Sequence, residues 1–144
     1  MKLISYFFVA LLTMSGVLSC EKESSSPSTY PIEGLWTGTY SVNTMPSQGS
    51  LTYTIAVKPG GEILTEGKGG DGKSHYASGT WALSGNNFTS TIITFPFSNI
   101  IPVTQSITAT YSNTGTLTDG TWTDTNNPNG AGLSGKFSTL QRIN

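Results

Sequence analysis

Leu51-Thr52-Tyr53-Thr54-Ile55-Ala56-Val57-Lys58-Pro59-Gly60-Gly61 is the stretch that decides the fold. Large apolar side chains at Leu51, Tyr53, Ile55 and Val57 alternate with small or polar ones. Successive side chains of a strand point to opposite faces, so this period of two turns all four inward and predicts a half-buried strand. The run stops at Pro59-Gly60-Gly61, residues that favour a tight turn over continued pairing.

The same pattern spreads outward in both directions. Upstream, Trp36, Gly38, Tyr40 and Val42 share one face, with Thr37, Thr39 and Ser41 on the other. Downstream, Val103, Gln105, Ile107, Ala109 and Tyr111 repeat the alternation. No stretch of the mature region shows convincing helical periodicity. The reading is all-β, with strands over 34–42, 51–58, 62–67, 75–83, 87–95, 103–111, 115–124 and 131–142.

Connection lengths suggest how these strands are joined. The links after the second, fourth and sixth strands are short turns, whereas 43–49, 68–74, 96–102 and 125–130 are long. In an up-and-down arrangement alternate links fall at opposite ends. All long loops then lie at one end and all tight turns at the other. This predicts an eight-stranded antiparallel up-and-down barrel with a closed base and an open mouth. An even strand number lets the last strand pair with the first and leaves no sheet edge.

The N-terminus reads differently. Lys2 precedes an apolar run from Leu3 to Leu12, and Val17-Leu18-Ser19-Cys20 matches a lipobox. The run is short for a bilayer span of about 20 residues, and Thr13, Ser15 and Gly16 break it. Residues 1–19 are therefore expected to be a lipoprotein signal peptide, with Cys20 as the lipidated N-terminus of the mature chain. Cys20 is the single cysteine in 144 residues, which excludes an intramolecular disulfide. Several acyl chains, each gaining about 0.8 kcal/mol per buried methylene, would hold the protein to a membrane. Residues 20–31 are polar and rich in Ser, as expected for a flexible tether to a domain over 32–144. Extended, the tether reaches roughly 35–40 Å. The expected location is the bacterial cell envelope, lipid-anchored in the outer membrane with a periplasmic or surface face. The run Glu21-Lys22-Glu23 resembles short export signals of surface lipoproteins and equally suits a solvated tether.

Gly34-Leu35-Trp36 at the start of the first strand and Arg142 at the end of the last would meet at the closed end. This resembles the calycin pattern, in which a basic residue packs over the tryptophan of a Gly-x-Trp motif; such a contact gains about 0.5–2 kcal/mol. Gly-Thr-Trp at 79–81 and 120–122, with the Gly-rich ending at 130–137, is similar to small lipocalin-like lipoproteins of Bacteroidota. That resemblance covers the mature domain and implies a barrel for which function is mostly unassigned. Thr118-Asp119-Gly120 matches the second lipocalin motif only in part. Gly38 replaces the Asn that an avidin-like biotin site needs, so biotin is not expected.

Residues able to carry chemistry are few. A formal net charge of −1 leaves no basic patch for nucleic acid. His75 is the single histidine, which makes a zinc site improbable and leaves it as a strand-edge residue near the mouth. Glu33, Glu62, Glu66, Asp71, Asp119 and Asp124 are scattered and form no acid/base pair; there is no nucleophile elbow. Asp71-Gly72 and the segment 126–130 have turn chemistry and lack a run of acidic calcium ligands. No enzyme, metal or cofactor is expected. Phe95-Pro96-Phe97-Ser98-Asn99-Ile100-Ile101-Pro102 is unusually apolar for a mouth loop: a ligand lid, a protein or membrane contact, or a segment folded back over the barrel.

Two functions follow. In the first, a small apolar or amphipathic ligand enters at the long-loop end, against Tyr40, Tyr53, His75, Phe95, Phe97 and Ile100, with Gly38, Gly79 and Gly135 leaving interior room. In the second, side chains such as Trp36, Trp81, Ile107, Leu117 and Phe137 fill the barrel, which then serves as a structural or protein-interaction lipoprotein.

Overall fold

The computed structural model describes residues 30–96 and 101–143. The segment expected to be a signal peptide, Cys20, most of the expected tether, Phe97 and Ile100 lie outside the described residues.

Nine strands follow in order: β1 Gly34–Val42, β2 Leu51–Val57, β3 Glu62–Lys68, β4 Ser74–Ser84, β5 Asn87–Thr94, β6 Thr104–Ser112, β7 Thr116–Asn126, β8 Ser134–Phe137 and β9 Leu140–Ile143. Pairing runs antiparallel from β1 through β7, then to β8 and β9, both of which return to β1. The sheet is therefore closed: an eight-stranded up-and-down barrel with one extra short strand, and every strand is paired on both sides. Tight turns at 58–61, 85–86 and 113–115 mark one end, and the long connections gather at the other.

One expectation is corrected. The eighth strand, read as continuous over 131–142, is two strands separated by Ser138 and Thr139. The ladder with β7 keeps one register through the break, but against β1 it gains one residue, from Tyr40↔Phe137 to Thr37↔Gln141. On β7, Thr108↔Thr121 and Thr110↔Thr118 set Asp119 and Gly120 against the single residue Ala109, a β-bulge with Asp119 at φ 53°. The bent chain beyond β8 stays hydrogen-bonded, because Ser138 N donates to Thr39 O at 2.7 Å and Thr39 N donates to Ser138 Oγ at 3.0 Å. β8 and β9 thus share one position between β7 and β1.

The core fills the closed half. Trp36, Ile55, Ile63, Phe88, Ile92, Ile107, Leu117 and Leu140 are fully buried. Below them, Trp36 Nε1 donates to Ile32 O at 2.9 Å, and Trp36 meets Tyr111 edge-on at 6.2 Å. The Tyr111 hydroxyl donates to Tyr30 O, and Tyr30 N donates to Asn113 O at 2.9 Å. Arg142 is the register partner of Trp36. Its guanidinium lies 5.3 Å from the Tyr30 ring centroid and donates to Glu33 O at 3.1 Å. The three residues read as the base, Gly34, Trp36 and Arg142, meet there. A Cβ on Gly34 would stand 2.7 Å from Arg142 Nε, so the motif glycine makes room for the guanidinium.

Gly38, Gly79 and Gly135 do not leave interior room, which corrects a second expectation. Leu140 fills the space beside Gly38, and the β5 backbone passes Gly79 so closely that a Cβ would lie 1.9 Å from Thr91 O. Gly135 sits beneath Trp122, whose Nε1 crosses β8 to donate to Ser41 O at 3.2 Å on β1.

Candidate functional site

The open half of the barrel holds a cavity of about 600 Å3 beneath the long loops. Its position follows from side-chain size around the wall. β1, β2 and β7 contribute Tyr40, Val42, Tyr53 and Trp122. β3, β4 and β5 contribute the smaller Thr65, Gly67, Ala77 and Thr94. Small residues facing large ones leave a void that neither set fills.

The aromatic wall is continuous. Tyr40 and Tyr53 lie 5.5 Å apart between ring centroids, Tyr40 and Trp122 6.1 Å, and Tyr53 and Phe137 6.1 Å. These separations suit tilted and edge-on aromatic packing. Tyr40 is anchored by donating its hydroxyl to Lys68 O at 2.8 Å. Burial pushes the Tyr53 phenol well above its ordinary value, a hydrogen bond with Thr65 opposing the shift. Burial also raises Tyr40, with a smaller push from the Asp71 charge.

The rim is polar and carries two carboxylates. Asp124 Oδ1 accepts from Gln105 Nε2 at 2.9 Å, and Oδ2 accepts from Asn127 Nδ2 at 2.7 Å and from Leu133 N at 2.9 Å. Asp124 therefore shapes the β7–β8 connection. Asn129 ties that connection to the next, accepting from Ile101 N at 3.0 Å and donating to Ile101 O at 2.8 Å. Across the mouth, Asp71 Oδ1 accepts from Lys73 N at 3.0 Å, and His75 Nε2 lies 3.6 Å from the same oxygen. The Lys73 amide hydrogen bond is the main cause that holds the Asp71 carboxyl below its usual value, and the nearby His75 and Lys73 add to it. The Gln48 side chain rests on Gly70 and so brings the first and second long loops together.

Tyr40, Tyr53, His75 and Phe95, four of the six residues predicted to contact a ligand, line this one cavity. Phe97 and Ile100 lie outside the described residues. Trp122, Gln105, Asp124, Asn127 and Asn129 line it too and were not anticipated. The β7 bulge explains the omission. Counting in twos from buried Leu117 turns Asp119, Thr121 and Thr123 inward. The extra residue reverses the parity, so Gly120, Trp122 and Asp124 face in instead. Asn127 and Asn129 were read as turn formers. They do form a turn, with Asn129 N donating to Asn127 Oδ1 at 3.0 Å, while also reaching the cavity.

Among the described residues, no cluster of three or more His, Cys, Asp or Glu side chains is placed to hold a metal ion. No protein-family model matches the chain, and no curated protein or solved structure matches it. The protein is defined by its own geometry: a small closed antiparallel barrel, sealed at one end and hollow at the other.

Proposed function

We propose that this chain is a lipid-anchored binding protein of the bacterial cell envelope whose barrel takes a small apolar or amphipathic ligand through its open mouth. The observation that carries the reading is the cavity of about 600 Å3 with an aromatic wall and a polar rim. Small-molecule sites typically span roughly 300–1,000 Å3 and pair apolar walls with a few placed polar groups. The protein is read as a binder and not an enzyme.

The lipobox supports an anchor at Cys20, and an outer-membrane position is the natural one for such a lipoprotein. Tyr30 enters the barrel at its base. A short tether from Cys20 therefore favours a base that faces the membrane and a mouth that points away. Cys20→Ala should move the protein from the membrane fraction to the soluble fraction; unchanged membrane association would overturn the anchor.

Native mass spectrometry of the protein isolated from its own envelope tests the binding reading. A co-purifying small molecule is the expected result. A reproducibly empty barrel in a stable complex with another protein would instead establish the alternative, a structural or interaction lipoprotein. One observation favours that second reading. Tyr76, Ile93, Phe95 and Ile101 cluster on the outer wall and rim, with Phe95 50% and Ile101 54% exposed.

A further inference from the structure

We propose that the mouth cavity selects positively charged ligands, organic amines with an apolar body. This rests on the reading of the barrel as a ligand binder and adds the charge of what it binds.

The lining is acidic. Asp71 and Asp124 face the cavity, His75 stands beside Asp71, and among the described residues no Lys or Arg side chain lines it. Lys73 approaches Asp71 only at 4.0 Å, with both side chains largely exposed, a pair that solvent screens strongly.

Asp124 is held without a cationic partner among its hydrogen-bond donors. Its carboxylate is half-buried and accepts three hydrogen bonds, from an amide side chain of Gln105, an amide side chain of Asn127 and the backbone of Leu133. All three donors are neutral. They orient the carboxylate but add no compensating positive charge. A fixed negative charge on the wall of a low-dielectric cavity attracts a cation more strongly than the same charge in open water.

An aromatic surface lies beside it. Trp122 precedes Asp124 by one inward position on β7, and Tyr40 packs edge-on against Trp122. Indole and phenol faces attract cations, and tryptophan does so best. An ammonium group between Asp124 and Trp122 meets a charge and a ring face, while its apolar body reaches Tyr53 and Phe95 below and beside it. A carboxylate in the same place would face Asp124 and Asp71, with no Lys or Arg among the described lining residues to offset them.

The test uses three probes with one body and three head groups: phenylbutylamine, phenylbutanol and phenylbutyrate. Binding to the full-length protein is read by calorimetry and by quenching of its tryptophan fluorescence, to which Trp36, Trp81 and Trp122 contribute. The amine should bind about tenfold more tightly than the alcohol, and the acid most weakly. Raised salt should weaken the amine and leave the alcohol unchanged. Asp124→Asn should remove most of the amine's advantage and keep alcohol binding, with a melting curve recorded to confirm that the variant folds. Asp71→Asn should reduce the advantage less and provides the comparison if Asp124→Asn does not fold. Binding of the alcohol or acid as tightly as the amine would overturn this inference and leave the binder reading standing. Failure of all three probes to bind would overturn both.

Discussion

The two ends of this barrel are built from the same alternating strands and end up with opposite properties. At the base, large side chains from almost every strand meet: Trp36, Ile55, Phe88, Leu117 and Leu140 leave no space, and Tyr30 and Arg142 close the floor. At the mouth, β1, β2 and β7 carry Tyr40, Val42, Tyr53 and Trp122, whereas β3, β4 and β5 turn the small Thr65, Gly67, Ala77 and Thr94 inward. An eight-stranded barrel is just wide enough for its side chains to fill it. Whether an end is solid or hollow therefore turns on whether small residues face large ones. The base is built for stability, and the mouth leaves part of that packing unrealised.

That contrast predicts a gradient of effects. Trp36→Ala should cost about 3–5 kcal/mol, as truncation of a buried aromatic does. Urea unfolding with a loss below about 1 kcal/mol would mean the base is not the stability centre. Gly120→Ala tests the middle of the barrel. Its Cβ would lie 1.9 Å from the Phe137 ring, which is the register partner across β7 and β8. The ring must move, at a cost of about 1–3 kcal/mol, visible as a lowered melting temperature. An unchanged melting temperature would show that Phe137 can swing into the cavity without loss.

Tyr53 marks the boundary between the two halves and offers a test by pH. Its folded phenol is raised above 10.0 by burial, so the folded chain keeps a proton that the unfolded chain releases. The stability linked to it is complete below pH 10.0 and falls as pH rises above that value. Tyr53→Phe should flatten this alkaline loss in denaturant titrations at stepped pH. An equally steep loss in the variant would assign the effect to other groups. The smallest stability change is expected at the rim, where Phe95 is half-exposed. Phe95→Ala should shift stability by no more than about 0.5 kcal/mol, and a larger change in chemical unfolding would show that the rim is part of the core.

Much of this was legible from residue order. Tyr53, Ile55 and Val57 on β2, and Trp36 and Val42 on β1, turn inward as the period of two requires. The grouping of long loops at one end required only the counting of connection lengths. Tyr40, Tyr53, His75 and Phe95 followed from that topology. Trp122 and Asp124 did not, because a β-bulge is a one-residue event in the pairing of two strands, and local composition hardly marks it. The interior glycines misled for a related reason. Gly79 and Gly135 look like missing volume in one dimension, yet each is occupied by an atom from a neighbouring strand.

Residue order alone thus determined the strand pattern, the up-and-down connection and the end at which the loops gather, because these depend on local periodicity and chain length. Only the tertiary structure decided that the base is solid, that the mouth is hollow, and that Asp124 stands in that mouth among neutral donors. Those properties depend on which side chains meet across the barrel, and the pairing register and its bulge set that meeting.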